Sequence, residues 1–279
     1  MTTYNIAFCL YGFHRHSNHL RDLNAFFEHF FKTSVNIYIY YALYDTETEF
    51  GNETINETKI IDILRKFNSN VKDINLEKVP YSELDCLKQI KLTGAIDVKN
   101  NKNNCFLHRE YSMYCSMKRC FDMINTKIKF DYVCISRLDW GVNEIKNIKN
   151  VNVENLLNFS SPGIICGHLN GSTDKEWNNL AFDPRFVLGI YEHMQFISNL
   201  PNLFLEHVHE RRLHIDRVLH VHPFVSYIII NKLQYTVLSQ HKLFSLIEHS
   251  SKRKTQNLQI NANNEEVKRV KSLYDTIII

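Results

Sequence analysis

The sequence is poor in glycine and proline, with 8 and 5 of them in 279 residues. No glycines are spaced as G-x-G-x-x-G or as G-x-x-x-x-G-K-[ST]. The dinucleotide-binding fingerprint and the Walker P-loop are therefore both excluded. A phosphate group bound by this protein must be held by something other than a glycine-rich loop.

The sequence also lacks an excess of one charge and any long hydrophobic run. Its 33 Lys and Arg residues face 30 Asp and Glu residues, a formal net charge of +3. Nucleic-acid-binding domains usually carry a strong basic excess, so we expect no nucleic acid partner. The longest apolar runs, NIYIYYALY and SYIIINKL, fall well short of the roughly 20 residues that cross a bilayer. We expect no transmembrane segment.

No C-x-x-C pair occurs among the seven cysteines, and the first residues show no basic segment followed by a cleavage site. Both features predict a cytoplasmic protein with reduced, mostly buried thiols and no secretory signal. Cys115 and Cys120 lie on one predicted helix, where core packing is the expected role of both. Heavy use of Asn, Lys and Ile is typical of an AT-rich genome, such as that of a large virus or a protist.

The composition is that of a globular protein, with 44% hydrophobic and 23% charged residues. Apolar runs of strand length alternate with helical patterns, which predicts an α/β fold with a mainly parallel sheet flanked by helices. The predicted strands are at 4–10, 35–43, about 71–80 and 130–136, and the predicted helices are at 18–31, 60–67 and 106–124.

The second half is predicted to be more helical. PGIICGH indicates one more strand, and Asp183-Pro184 predicts a helix that starts there and continues through FVLGIYEHMQFISNL. Another helix is expected at about 209–231. One domain is predicted for residues 1–250, followed by a linker and a peripheral helix at 251–279.

The segment after the first predicted strand is a candidate binding loop, because ligands of parallel α/β sheets bind at the carboxyl ends of strands. Gly12 allows a tight turn, and Arg15 can face an anionic group. The alternative is an ordinary turn from strand to helix with solvated basic residues.

A second candidate loop follows the strand FDYVCI. Asp139 is placed to hold a hard divalent cation, and Arg137 is a permanently charged partner for phosphate. Trp140 can form an apolar wall for a sugar or a base. The alternative is an Arg–Asp pair that seals the end of the strand.

A histidine cluster lies in the second half, and its spacing raises the alternative of a zinc-dependent hydrolase. H-E-x-x-H and fixed Cys/His pairs are absent from the sequence, so a solvated or core-packed helix face is the competing interpretation. The cluster consists of His207, His209, His214, His220 and His222.

Several segments in this order resemble the GT-A glycosyltransferases of viral and bacterial glycan synthesis, over roughly residues 4 to 240. They are the strand followed by Gly-x-x-Arg, MYCSMKRCFDMI, FDYVCISRLDW, NNLAFDPRFVLGIYEHM and HERRLHIDRVL. The resemblance implies a GT-A-like fold and transfer of a hexose or pentose from a nucleotide sugar to a glycan or glycoconjugate hydroxyl. The donor half would be about 1–145 and the acceptor half about 146–250.

The resemblance also implies roles for individual residues. Arg137 occupies the first acidic position of the family's D-x-D motif, giving R-x-D. Asp139 would hold Mn²⁺ or Mg²⁺ on the donor diphosphate, completed by a late histidine, His209 or His222. Alternatively, Arg137 neutralises the diphosphate and Asp139 binds the metal or the donor ribose. The implied donor-binding residues are Leu10, Tyr11, Gly12, Arg15, Arg137, Asp139 and Trp140.

An inverting reaction would need a base for the acceptor hydroxyl. The candidates are Asp174, Glu176, Asp183, Glu206 and Glu210, and we single out Asp183 and Glu210. Each has a structural alternative: Asp183 as a helix N-cap, and Glu210 as a first-turn residue favoured by the helix dipole. A non-catalytic glycan-binding module with the same fold is a further alternative function.

Overall fold

A computed structural model describes residues 3–12, 35–45, 57–67, 70–80, 104–137, 164–167, 183–211, 235–238 and 258–260. The helix predicted at 18–31 lies outside them.

Twelve elements occur in this part of the chain, and their strands form one eight-stranded sheet in the order β3-β2-β1-β4-β6-β5-β7-β8. The strands are β1 (Tyr4–Gly12), β2 (Val35–Asp45), β3 (Val71–Pro80), β4 (Tyr132–Arg137), β5 (Ile164–Gly167), β6 (Asp183–Gly189), β7 (Tyr235–Leu238) and β8 (Leu258–Ile260). The helices are α1 (Glu57–Phe67), α2 (Asn104–Asp122), α3 (Tyr191–Ser198) and α4 (Leu200–Arg211).

The first four strands form the parallel part of the sheet. β1 pairs in parallel with β2 and β4, and β2 pairs in parallel with β3. Every β1 side chain from Ile6 to Tyr11 is buried, as expected of a parallel strand covered on both faces. The predicted α/β fold with a mainly parallel sheet is confirmed.

The remaining strands make the sheet mixed. β6 runs antiparallel to β4 and β5, β5 is parallel to β7, and β8 is antiparallel to β7. β8 lies in the stretch for which the sequence predicted a linker and a peripheral helix.

The prediction of a helix that starts at Asp183-Pro184 is wrong. Residues 183–189 form β6, and the observed helix α3 begins at Tyr191. The apolar run FVLG is short enough to suit either structure, and pairing with two strands decides for a strand. A proline is tolerated close to the start of a strand. The observed N-cap is Ile190, which makes no side-chain capping bond.

Helices lie on both faces of the sheet. The step from β2 to β3 through α1 and the step from β3 to β4 through α2 run in opposite directions along the sheet. Right-handed crossovers then require α1 and α2 to lie on opposite faces. α2 packs on β1 and on α3 and α4. None of the described helices has the length and apolar character needed to span a membrane.

A group of polar side chains ties the strands together at the amino edge of the sheet. The Asn5 backbone N–H donates to Asp131 Oδ2 at 2.8 Å, and the Asp131 N–H donates to the Asn5 carbonyl at 2.9 Å. Asn5 Nδ2 donates to the Lys129 carbonyl, and Asn36 Nδ2 donates to Asn5 Oδ1. These bonds join the starts of β1, β2 and β4 and so fix where their carboxyl ends meet.

Candidate functional site

The order of the strands places a topological switch point between β1 and β4, and the carboxyl ends of these two strands are called the crevice. From β1 the chain moves to β2 and β3 on one side, and β4 then returns to the other side of β1. Such a switch point leaves an opening at the carboxyl ends of the two strands, where ligands of α/β sheets bind. Tyr11 pairs with Arg137 there, so both candidate loops predicted from the sequence start at this crevice.

Gly12 ends β1 in a conformation that other residues rarely adopt. Its φ is +111°, and a Cβ built on it would meet no described residue within 4 Å. Glycine is therefore favoured here by the backbone conformation, because residues with a side chain rarely adopt this φ.

The side chains just before Gly12 belong to the core. Leu10 is fully buried, and Tyr11 is 2% exposed. A ligand at this end of β1 would therefore meet the backbone of both residues, with their side chains supporting it from behind. This refines the donor-binding roles that the sequence resemblance implies for Leu10 and Tyr11.

Arg137 is half-buried and projects from the face of the sheet that α2 covers. The Tyr40 hydroxyl accepts a hydrogen bond from the backbone N–H of Asn125, just after α2, and Cys9 pairs with Tyr40, so Cys9 faces α2. Alternate residues of a strand share a face, which places Tyr11 on the same side. Directly paired residues of neighbouring strands also share a face, so Arg137 follows Tyr11. Its permanent charge lies at the mouth of the crevice.

Asp183 lies at the same edge of the sheet. It is the first residue of β6, which runs antiparallel to β4 with Phe186 opposite Ser136, and it pairs with Gly167 at the end of β5. The backbone at Asp183 is thus placed beyond the carboxyl end of β4. The N-cap alternative for Asp183 is wrong, because the residue belongs to a strand.

Glu210 and His209 lie on α4. This helix begins at Leu200, so Glu210 is not at a helix start and the first-turn alternative is wrong. Phe204 of α4 stacks against Tyr111 of α2 with ring centroids 5.8 Å apart, which fixes α4 on the face of α2. The structure describes the backbone at Glu210 and His209, and their roles stay predictions.

Four predicted site residues, Arg15, Asp139, Trp140 and His222, lie outside the described residues. Within the described ranges, no group of three or more His, Cys, Asp or Glu side chains could hold a metal ion. The described part of the crevice supplies a cationic group, Arg137, at the end of β4.

Buried thiols underlie the crevice. Burial raises the pKa of Cys9 well above its usual value, and the hydrogen bond to Cys120 raises it further. Burial likewise raises the pKa of Cys134. Neutral thiols are poor nucleophiles, so these two cysteines do not suit covalent catalysis. Cys120 is fully buried, which confirms its predicted packing role, whereas Cys115 is partly exposed.

Sequence reasoning missed the polar contacts of Cys120. Its Sγ lies 3.0 Å from the carbonyl oxygen of Leu10 in β1 and 3.0 Å from that of Tyr40 in β2. The helical spacing of Cys120 predicts burial, but no local pattern signals which main-chain groups it meets.

Comparisons with known proteins gave similarity in structure alone. No protein-family profile matches the sequence, and no curated protein matches it. Mouse xyloside xylosyltransferase 1 in its apo form is similar in structure, with a TM-score of 0.41, 8% identity, and coverage of 85% of this chain and 84% of that chain. Galactosyltransferase LgtC, in complex with donor and acceptor sugar analogues, gives a TM-score of 0.39 and 9% identity. That match covers 72% of this chain and 64% of LgtC. A functional proposal for this chain therefore rests on its own residues.

Proposed function

We propose that this protein is a glycosyltransferase that moves a sugar from a nucleoside-diphosphate sugar to a hydroxyl of a glycan or glycoconjugate. The observation that carries the proposal is the pairing of Tyr11 with Arg137 at the switch point of the sheet. This pairing brings two segments that resemble GT-A motifs, distant in the sequence, to one crevice.

In this proposal the diphosphate of the donor lies over the carboxyl ends of β1 and β4. Gly12 has no side chain, which lets a phosphate oxygen approach the main chain closely. Arg137 offers a planar, permanently charged fork that can bond two phosphate oxygens at once. Arg15, on the segment after Gly12, adds a second positive charge, and Trp140 packs against the sugar or the base.

A divalent cation, Mn²⁺ or Mg²⁺, belongs to the same proposal. Asp139 would hold it, with His209 or His222 as a further ligand, because hard cations prefer carboxylate oxygens. When bound, the cation neutralises charge on the departing diphosphate. Arg137 performs part of that task from the protein side.

The reaction breaks the bond between the anomeric carbon and the diphosphate oxygen and forms a bond to the acceptor oxygen. Positive groups aimed at the leaving diphosphate lower the barrier, since negative charge develops there. In an inverting reaction Asp183 would take the acceptor proton, because the start of β6 lies at the edge of the crevice. Glu210 is the second candidate for this proton transfer. The acceptor would bind to the half of the domain at about 146–250.

A thermal-shift and calorimetry screen of UDP-, GDP- and dTDP-sugars with and without Mn²⁺ tests the proposal. We expect one donor to raise the Tm, and Asp139→Asn to remove the part that depends on Mn²⁺. Asp62→Asn, an exposed substitution on α1, is the matched control and should leave the shift unchanged.

Release of nucleoside diphosphate in the presence of glycan acceptors is the second measurement. Transfer or donor hydrolysis supports the enzyme. Glycan binding without any turnover over the whole donor panel would instead favour a non-catalytic glycan-binding module. If no nucleotide stabilises the protein, the proposal is wrong.

A further inference from the structure

The thiol of Cys120 links helix α2 to two strands at once. The side chain is fully buried, and its Sγ lies 3.0 Å from the Leu10 carbonyl oxygen and 3.0 Å from the Tyr40 carbonyl oxygen. Leu10 and Tyr40 stand on β1 and β2, neighbouring strands in which Cys9 pairs with Tyr40. A thiol has a single proton, so it donates to one of these two oxygens at a time.

The position of this contact along β1 gives it a consequence for the crevice. Leu10 is two residues before Gly12, where the chain takes its positive φ. A helix side chain that bonds the Leu10 carbonyl therefore restrains the strand directly before the turn. The bonds around Asn5 and Asp131 restrain the other end of β1.

The chemistry of the surrounding thiols leaves few other roles for Cys120. It is sealed from solvent, and it forms no metal-binding group with the other described His, Cys, Asp and Glu residues. Its neighbour Cys9 is buried as well. Reactive cysteines are partly exposed, whereas Cys9 and Cys120 are both buried.

We propose that Cys120 is a positioning residue for the diphosphate site, a role that rests on the function proposed above. Its thiol holds the carboxyl end of β1 against α2 and β2, so that Gly12 turns at a fixed place beside Arg137. A displacement of about 1 Å in a positioning group can cost on the order of a hundredfold in rate. The Leu10 carbonyl is only two residues before Gly12, so we expect loss of its contact with Cys120 to displace the turn.

Substitutions at two buried cysteines separate this role from packing. Cys120→Ala removes the thiol, Cys120→Ser keeps a donor, and Cys120→Val fills the space without one. Cys134→Ala is the matched control. Cys134 is 1% exposed, and among the described residues its thiol has no hydrogen-bond partner.

The first measurement is the Kd of the nucleoside diphosphate that stabilises the wild-type protein. We expect Cys120→Ala and Cys120→Val to weaken binding about tenfold, because the unrestrained turn at Gly12 must then be ordered when the ligand binds. Cys120→Ser and Cys134→Ala should stay within about twofold of wild type, as expected when the bond is kept or was never made. Equal losses in Cys120→Ala and Cys134→Ala, or a loss in Cys120→Ser as large as that in Cys120→Val, would overturn the role.

The second measurement needs no ligand. Hydrogen–deuterium exchange at Tyr11 and Gly12 should be faster in Cys120→Val than in the wild type and in Cys134→Ala. If no nucleotide binds even the wild-type protein, the proposed glycosyltransferase is wrong, while exchange still decides whether Cys120 restrains β1. Unchanged exchange in Cys120→Val would overturn the restraint itself, also where Cys120→Ala does not fold.

Discussion

Tyr11 and Arg137 are direct partners across two parallel strands, although they lie far apart in the sequence. Tyr11 is almost completely buried and Arg137 is half-buried, and both project toward the face covered by α2. Tyr11 therefore supports the crevice from the core, whereas Arg137 lies at the opening of the crevice. This division guides the choice of substitutions.

Replacing Arg137 should weaken binding of the nucleotide without unfolding the protein. Arg137→Ala removes charge-assisted hydrogen bonds worth about 1.5–3 kcal/mol, roughly a ten- to hundredfold loss in affinity. Arg137→Lys keeps the charge but loses the fork and should fall in between. Calorimetric titration measures both against Arg65→Ala, an exposed arginine on α1. Wild-type affinity in Arg137→Ala would remove this residue from the site.

Replacing Gly12 should destabilise the fold through its backbone. Gly12→Ala places a side chain at φ +111°, and strain of this kind costs about 1–3 kcal/mol. Since a Cβ would meet no described residue within 4 Å, Gly12→Ser should cost about as much as Gly12→Ala. Urea unfolding measures both, and a much larger loss for serine would show that space, not φ, is the constraint.

Removing the Asn5 side chain should loosen the amino edge of the sheet. Asn5→Ala loses two hydrogen bonds, to Lys129 and Asn36, which predicts a loss of about 1–2 kcal/mol in the free energy of unfolding. Asn202→Ala makes the same change at an exposed site bonded only to Asn199 among the described residues, and should cost less than about 0.5 kcal/mol. Similar values for the two variants in urea unfolding would contradict a special role for Asn5.

Stability should fall in alkaline solution. Burial raises the pKa of Cys9 and Cys134 above their unfolded value of 9.0, and the pKa of Tyr40 and Tyr132 above 10.0. Below pH 9 these groups are neutral in both states, so their full contribution is present. As the pH rises toward their folded-state pKa values, only the unfolded chain releases protons, and the free energy of unfolding decreases.

Unfolding measured from about pH 7 to about pH 11 tests this alkaline loss. The double substitution Cys9→Ala and Cys134→Ala should reduce the slope above pH 9. A flat profile in the wild-type protein would contradict the direction of the pKa changes.

Thiol labelling should discriminate among the cysteines of the core. Cys115 is partly exposed, whereas Cys9, Cys120 and Cys134 are buried. In the native protein a maleimide should modify Cys115 first, and the other three only after urea is added. Peptide mass spectrometry identifies the labelled sites, and equal native rates at Cys115 and Cys120 would disprove the burial of Cys120.

Much of the parallel part of the sheet could be predicted from the sequence, because β1, β2 and β4 are apolar runs buried on both faces. β6 could not, since FVLG suits a strand or a helix and its two strand partners decide the outcome. The same limit applies to the start of α4, which the sequence placed near Glu210.

The ends of the strands were predictable, and their pairing was not. The rule that ligands bind at carboxyl ends singled out Gly12 and Arg137 without reference to each other. Their adjacency depends on the order of the strands and on the register of β1 with β4. The Cys120 contacts depend in addition on how α2 crosses the sheet. The helical periodicity of the sequence does not reveal that crossing.

The polar bonds at the amino edge also bear on how this protein can be redesigned. Asn5, Asn36 and Asp131 join the strands at the end of the sheet opposite Gly12 and Arg137. Binding loops on a rigid scaffold tolerate exchange while the scaffold keeps its shape. Under the proposed function, substitutions beyond Gly12 and Arg137 are therefore a practical way to change which donor the protein accepts.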